Sequence, residues 1–441
     1  MLDGSDTIAA IATAKGEGGI AIVRISGDQA LSILKKAFRP ARAKASFRPA
    51  QMLYGYAVDA RGRDIDEVMA VWFKSPHSYT RQDVCEIHTH GGISAETVLE
   101  RVIQLGARPA EKGEFTYRAF LNGRLSLDRA EAVMSLISAS SEQAARSSLR
   151  QLKGGASAKI GLLKQELMEL ITLIDAAADF PEEIDEEVTN KRVRSQAKKI
   201  SGELKRCADK NYARIVSGGV SVVIAGKPNV GKSSIMNRLL GADRAIVTDI
   251  AGTTRDVINE TVSINGIRVT VSDTAGIRES EDRIEKIGID LAENKIDEAD
   301  IVILVLDASG EETREDAALL QKRDARFIVV ANKDDVRQRD IPGAFKVSAR
   351  TGEGMEALKE KIFEMASPGE DDDKLLNLRH IDAALNAAKA LDRMLESDED
   401  TYLDLLREDL TEALGHLGQI TGENVSETVI DGIFERFCVG K

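Results

Sequence analysis

From Asp6 to about Arg118 the chain sets apolar against polar positions in short runs, IAIVRIS, VMAVWF and DVCEIHTH, separated by Pro-rich or Gly-rich breaks. Alternation of that kind predicts half-buried strands, while ALSILKKAF among them carries helical spacing, so the region reads as an α+β unit. From about Phe120 to Ala213 the period changes. Apolar residues recur at helical spacing through AEAVMSLISASSEQAARSSLRQL and AKIGLLKQELMELITLIDAAADF, with almost no alternation. VSGG (216–219) reads as a hinge before the buried strand VSVVIAG, after which strands and helices alternate to about Met365, the signature of a parallel sheet wrapped by helices. SPGEDDD (367–373) reads as an acidic exit linker, and helical periodicity returns from Leu375 to Phe437. The pattern predicts an α+β domain over 1–118, helical segments over 119–216 and 369–441 that pack together as one domain, and an α/β domain inserted between them over 217–368.

Length and composition narrow the classes. A chain of 441 residues, 43% hydrophobic and 30% charged, is too long for one ordinary core. Its formal net charge of -13 argues against a protein whose main business is coating nucleic acid. Cys85, Cys207 and Cys438 lie far apart without paired spacing, which suggests neither a disulfide framework nor a zinc ribbon and fits a reducing compartment. No apolar run approaches the ~20 residues of a bilayer span, and the beginning MLDGSDTIAA lacks the order of a signal peptide. A cytoplasmic location is expected.

The inserted domain carries the strongest chemistry. VSVVIAGKPNVGKSS places Gly226, Gly231, Lys232 and Ser233 at phosphate-loop spacing between a strand and a helix beginning near Ser234. Glycines let backbone N–H groups turn toward phosphate oxygens, the helix N-terminus adds partial positive charge, Lys232 reaches the outer phosphates and Ser233 can ligate magnesium. Asp273 ends the strand VTVSD, where a carboxylate can hold that magnesium and Gly276 of DTAG can donate its N–H to the terminal phosphate. In NKDD, Asp335 can accept both edge donors of guanine, a pair that adenine lacks, and the backbone of Ser348 and Ala349 in VSAR can close over the guanine oxygen. Ile277 stands after Gly276, where GTPases of the Ras type carry a water-orienting glutamine. Hydrolysis therefore needs another group to position water and another source of positive charge. Asn229 with backbone oxygens of TDIAGT is one candidate cation cage, and Arg255 and Arg278 are the competing fingers in cis.

GKPNVGKSS, TDIAGTTRD, DTAGIRE, NKDD and SAR resemble GTPases with a hydrophobic residue in place of the glutamine. IAIVRISG, PHSYT, HTHGG, ARPAEKGEFTYRAFLNGRLSLDRAEAV, ISASSEQAARSSL and the terminal FCVGK extend the resemblance over the whole chain to the MnmE (TrmE) family of bacterial tRNA modification GTPases. The resemblance implies an α+β folate-binding-like domain, a helical domain made of two chain segments and an inserted Ras-like P-loop GTPase domain. For the nucleotide it implies Asn229, Val230, Gly231, Lys232, Ser233 and Ser234; Thr248 and Thr254; Asp273, Thr274, Ala275 and Gly276; Asn332, Lys333 and Asp335; and Ser348, Ala349 and Arg350. Magnesium falls to Ser233 and Thr254, potassium to Asn229, Thr248, Ile250 and Thr253, and the water to Glu285, with Lys232 on the phosphates.

The same resemblance implies a tetrahydrofolate derivative, 5-formyl- or methylene-tetrahydrofolate, at Arg24, Glu86, Arg124 and Lys441, with Cys438 as a candidate catalytic thiol. It implies a homodimer through the first domain and a heterotetramer with the flavoprotein MnmG (GidA), which carries FAD, acting on the wobble uridine of tRNA and with no membrane involved. Two departures are visible: Arg124 replaces a lysine, and RQD follows PHSYT in place of GED. A ribosome-assembly GTPase and a GTP-gated folate sensor are the alternative functions. From the residues alone, Glu86 reads first as a solvated strand residue, His88 and His90 lack a third metal ligand, and Cys438 reads as a buried small residue ahead of a nucleophile. The basic run 191–206 reads as a solvated helix face before a tRNA site.

Overall fold

A computed structural model describes residues 6–14, 16–42, 45–242, 259–273, 295–321, 323–367, 369, 371–398 and 402–441. The chain divides into two compact units, Met1–Met134 with Thr411–Lys441, and Ser135–Leu410.

The first unit is built on a seven-stranded sheet of β1 (Ile8–Ile11), β2 (Ala21–Ser26), β3 (Phe38–Pro40), β4 (Leu53–Val58), β5 (Asp64–Phe73), β6 (Val84–Thr89) and β7 (Arg108–Pro109) in the order β3-β4-β5-β6-β2-β1-β7. Helices α1 (Ala30–Ala37) and α2 (Ile93–Gln104) cover one face, where Val23, Ile25, Leu34, Ile87, Val98 and Val102 are almost fully buried. Each such side chain contributes about 1.5–3 kcal/mol of burial. Because strand side chains alternate, Arg24, Glu86 and His88 point to the other face, and the antiparallel register sets Arg24 directly opposite Glu86. Helix α3 (Glu114–Leu121), the start of α4 (Leu127–Ile137) and the helix Glu427–Phe434 meet in an aromatic cluster of Tyr117, Phe120, Phe434 and Phe437. One side of α3 is ionic: Arg118, 1% exposed, and Arg108 clasp Asp6 and the fully buried Glu114.

The second unit joins helices to a six-stranded sheet. The periodic run through residues 130–152 is broken in two, since Ser141 accepts a bond from Ala144 N and thereby starts α5 (Glu142–Leu152) afresh. Helix α6 (Gly155–Asp179) buries Ile160, Leu163, Leu167, Leu170 and Ile174 along one stripe. Asp185 and Asp209 cap α7 (Glu186–Cys207) and α8 (Lys210–Gly218). Several cations of the basic run lie on partners within the unit: Arg194 on the carbonyls of Met394, Ser397 and Asp398, Lys205 on Asp392, and Arg206 on Glu203 and Asp373. The acidic linker is likewise pinned, Asp372 to Arg150 and Asp373 to Arg206. At the VSGG hinge, Gly219 (φ 82°) lies so close to Arg268 O that a Cβ would sit 2.2 Å from it.

The sheet runs β8 (Val220–Ala225), β9 (Asn259–Ile264), β10 (Ile267–Asp273), β11 (Ile301–Asp307), β12 (Phe327–Asn332) and β13 (Phe345–Lys346) in the order β13-β12-β11-β8-β10-β9, parallel throughout except β9. Helices α9 (Lys232–Ala242), α10 (Arg314–Gln321) and α11 (Met355–Ala366) accompany it, and α12 (Leu378–Glu396) packs on α7, with Ser201 Oγ donating to Asp392 Oδ1 at 2.7 Å. The chain leaves β8 for β9 and β10 on one side and reaches β11 to β13 on the other. Strand order therefore reverses at β8, where ligands of open α/β sheets bind beyond the carboxyl ends of the strands. The architecture is the α+β, helical and Ras-like P-loop combination read from the motifs.

Candidate functional site

The loop from Gly226 to Gly231 leaves β8 at that reversal and feeds α9, which starts at Lys232, slightly ahead of the expected Ser234. Gly226 has φ 144° and a Cβ there would stand 2.4 Å from Val305 O; Gly231 has φ 96° and its Cβ would stand 2.2 Å from Asn332 Nδ2. Neither position admits a side chain. Asn229 is exposed in the left-handed region at φ 65°, which asparagine tolerates better than most residues. Val230 is buried beneath the loop, and Ser233 and Ser234 are exposed on the first turn of α9. Lys232 is 6% exposed and curls back into the loop, donating to Gly226 O at 3.0 Å and Lys227 O at 2.7 Å. A cation thus lies inside a ring of backbone at a helix N-terminus, the arrangement that receives phosphates.

Parallel pairing brings the next elements alongside. Asp273 stands opposite Ile224, so β10 ends next to the loop, and Asp307 stands opposite Asn332. Asn332 Nδ2 donates to Val230 O at 2.8 Å while its Oδ1 accepts from Ala349 N at 3.0 Å, joining the phosphate loop to the loop after β13. Lys333, left-handed at φ 65°, donates to Asp307 Oδ2 at 2.6 Å. Asp335 takes Ser348 Oγ at 2.7 Å on one oxygen and Arg350 Nη2 at 2.5 Å on the other. The Ser348 bond foremost, with Arg350 assisting against a smaller burial effect, holds its carboxyl below the usual range. An ionised acceptor is therefore held beside the loop after β13. The switch and cation residues Thr248, Ile250, Thr253, Thr254, Arg255, Thr274, Ala275, Gly276, Ile277, Arg278 and Glu285 lie outside the described residues.

Two contributors escape motif reading. Arg238 on α9 donates to the carbonyls of Ala349 and Arg350. Asp316, almost fully buried, pairs with Lys227 of the phosphate loop at 2.9 Å and Arg339 at 3.3 Å. Both look like ordinary helix-surface charges in sequence, and their partners lie far along the chain.

The first unit holds a second polar site. Arg24 donates to Glu86 Oε1 at 2.9 Å and to Gly440 O at 3.3 Å, and His88 Nε2 lies 3.2 Å from Glu86 Oε2. Burial opposes ionisation of Glu86, but His88 and Arg24 outweigh it and hold the carboxyl below its usual range. Glu86 is thus a paired residue in a pocket, which corrects its reading as a solvated strand position. The pocket, about 550 Å³, is lined by Glu86, Arg124, Tyr79, His77 and Phe73 among others. Arg124 stacks over the Tyr79 ring with its Cζ 4.6 Å from the centroid and donates to Tyr79 O at 2.9 Å.

The tail closes on the same unit: Val439 bridges Lys112, and Phe115 N donates to Lys441 O at 3.2 Å. Burial, with Arg24 nearby, pushes the Lys441 amine below its usual pKa. Cys438 is exposed and Phe437 buried, so the expectation of a buried Cys438 is overturned: Phe437 takes the place in the aromatic cluster and turns the thiol outward. His90 Nδ1 pairs with Asp66 at 2.7 Å, and no group of three metal-ligating side chains occurs among the described residues. Nor, among them, is any helix long and apolar enough to cross a membrane.

Comparison with known proteins converges on one family. The profile of the MnmE helical domain matches residues 127–438, and that of the GTP-binding protein TrmE N-terminus matches residues 7–124. Proteins named tRNA modification GTPase MnmE are similar over nearly the whole chain: that of Thermoanaerobacter pseudethanolicus is 43% identical and covers 99% of both chains, and that of Finegoldia magna is 41% identical and covers 99% of this chain and 100% of its own. That of Clostridioides difficile is 41% identical, covering 99% of both. With a phosphate loop, a guanine-type motif and full-length relatives of this kind, the chain belongs to the MnmE (TrmE) family of tRNA modification GTPases.

Proposed function

We propose that this protein hydrolyses GTP to drive the modification of the wobble uridine of tRNA in the cytoplasm, adding an aminomethyl or carboxymethylaminomethyl group at uridine C5. The carbon comes from a tetrahydrofolate derivative, methylene- or 5-formyl-tetrahydrofolate, and the protein acts as a homodimer through its first unit, in a heterotetramer with the FAD-bearing flavoprotein MnmG (GidA). The observation that carries this reading is the carboxylate-and-guanidinium pocket of the first unit, present in the same chain as the phosphate loop. A stand-alone ribosome-assembly switch has no use for it.

In the nucleotide site, loop N–H groups and Lys232 hold the phosphates and Asp335 selects guanine. Ser233, exposed beside Lys232 on the first turn of α9, fits a hydroxyl ligand for magnesium, and Asn229, exposed within the loop, fits an amide-oxygen ligand for potassium. Thr254 joins Ser233; Thr248, Ile250 and Thr253 join Asn229. Magnesium and potassium, when bound, supply positive charge for the phosphates during hydrolysis. Since Ile277 cannot hydrogen-bond water, Glu285 orients it. In the first unit the pocket volume suits a small molecule. Glu86 complements the guanine-like donor edge of a pterin, and Arg24, Arg124 and Lys441 complement the carboxylates of its glutamate tail. Cys438, exposed beside Lys441, is the candidate nucleophile.

The test is mass analysis of tRNA nucleosides from a strain lacking this gene. Loss of the C5-modified wobble uridines is expected. An unchanged nucleoside profile with defective ribosomal subunits would instead support the assembly-switch reading.

A further inference from the structure

Arg238 lies on the second turn of α9, the helix whose first turn carries Lys232 and Ser233. Its guanidinium spans two successive carbonyls of the loop after β13: Nε donates to Ala349 O at 2.9 Å and Nη2 to Arg350 O at 2.6 Å. A trans peptide carries its C=O and its N–H on opposite sides. Holding the Ala349 carbonyl therefore also sets the direction of the Arg350 N–H, which must point away from Arg238.

The other donors of this loop are spoken for. Val347 N bonds Ala331 O, Ser348 N bonds Glu353 O, Ala349 N bonds Asn332 Oδ1, Thr351 N bonds Ser348 Oγ and Gly352 N bonds Ser348 O. From Val347 to Glu353, the Arg350 N–H is the one backbone donor without an acceptor among the described residues. It belongs to the same cluster as the Asp335 carboxylate, which Ser348 Oγ and the Arg350 guanidinium both hold. One fixed acceptor beside one open donor is the complement of the guanine edge, where the 6-oxo oxygen, N1–H and the 2-amino group follow one another in that order.

We propose that Arg238 is a positioning residue for base selection: it clamps the peptide between Ala349 and Arg350 so that the Arg350 N–H is presented to the 6-oxo group of a guanine nucleotide. The inference rests on the guanine reading of the site given above. It also gives α9 a double role, since the helix that offers Lys232 and Ser233 to the phosphates holds the base loop by the same rigid rod.

The experiment is equilibrium binding of GTP, ATP, 6-thio-GTP and ITP to the full chain and to Arg238→Gln and Arg238→Lys. 6-Thio-GTP keeps N1–H and the 2-amino group but offers a weak acceptor at position 6; ITP keeps the oxygen and lacks the amino group. The parent should prefer GTP over both analogues. In Arg238→Gln the preference over 6-thio-GTP should shrink by about fivefold, as expected for one modest hydrogen bond, while the preference over ITP, which reads Asp335, stays as in the parent. Arg238→Lys, with a compact ammonium in place of the fork, should fall between the two. A variant that keeps the parent's preference at position 6, whatever its overall affinity, overturns the role of Arg238 and leaves the guanine reading standing. A parent with no preference for GTP over ATP overturns both. The Arg238 side chain lies on the surface, and a second variant at the same position guards against an idiosyncratic loss of folding.

Discussion

Gly231 and Asn332 compete for one space: a Cβ on the glycine would lie 2.2 Å from the asparagine's Nδ2. The carboxamide occupies it because it bonds Val230 O on one side and Ala349 N on the other. The phosphate loop and the base loop are therefore fitted around a single side chain. Gly231→Ala should displace that carboxamide, leave those groups unpaired at a cost of about 1–3 kcal/mol, and weaken GTP binding sharply. Isothermal titration beside a thermal melt checks it, and parent-like affinity would show that the loop yields without harm.

Asp335→Asn should lose GTP affinity by at least about two orders of magnitude and gain affinity for xanthosine triphosphate, whose altered donor and acceptor pattern an amide can complement. Retained GTP selectivity in direct titration would remove Asp335 from base reading.

Steady-state hydrolysis should be much faster in potassium than in sodium, and the preference should vanish in Asn229 variants that still bind GTP. Asn229 sits at φ 65°, where alanine adds roughly 1–2 kcal/mol of backbone strain, so Asn229→Gly is the cleaner removal of the amide. Glu285→Ala should lower kcat by about 10²–10³. Equal parent rates in both salts would dispose of the cation, and a Glu285→Ala enzyme at parent rate would dispose of Glu285.

Deleting residues 438–441 while keeping Phe437 in its aromatic cluster should abolish tRNA modification in cells and leave GTP hydrolysis by the purified protein nearly intact. Normal modification by the truncated protein would make the tail dispensable.

Asp6 and Glu114 both sit below their ordinary pKa when folded. For Glu114, burial opposes this but Arg108, the Glu111 N–H and Arg118 prevail; for Asp6 the Arg108 bond leads. The unfolded chain therefore binds more protons, and the stability these carboxylates contribute is complete above the ordinary carboxylate range and lost as pH falls through it toward the folded values. Glu114→Gln removes one of the two carboxylates that face Arg118, leaving it on Asp6, and should cost about 1–3 kcal/mol at neutral pH while flattening the acid limb. Melting temperatures between pH 3 and 7 measure both effects, and an unaltered limb would place the acid sensitivity elsewhere.

What could be read from the chain beforehand follows the range of the interaction. Gly226, Gly231, Lys232 and Ser233 act through their spacing along a few residues of backbone, and spacing is written in the sequence. Arg24 and Glu86 meet only through the register of β2 against β6, which no local pattern specifies, so Glu86 looked like a surface position until the pairing was visible. Arg238 was hidden more completely: its partners are backbone carbonyls, which every residue possesses and no motif can mark. The single periodic run before α5 failed for a different reason, since the Ser141 cap outweighed a continuous apolar spacing.

The bond from Arg24 to Gly440 joins residues 416 positions apart. At roughly 5–20 residues per second, a ribosome needs on the order of 20–80 s to pass from one to the other. The sheet that carries Arg24 has long since emerged by then, with its cation paired to Glu86 but without the tail carbonyl. A nascent chain halted after the six-stranded sheet is complete but before Gly440 can hold a formed phosphate loop yet lacks the tail carbonyl that Arg24 binds. Synthesis thus completes the two chemistries in a set order, nucleotide binding before closure of the first unit's site.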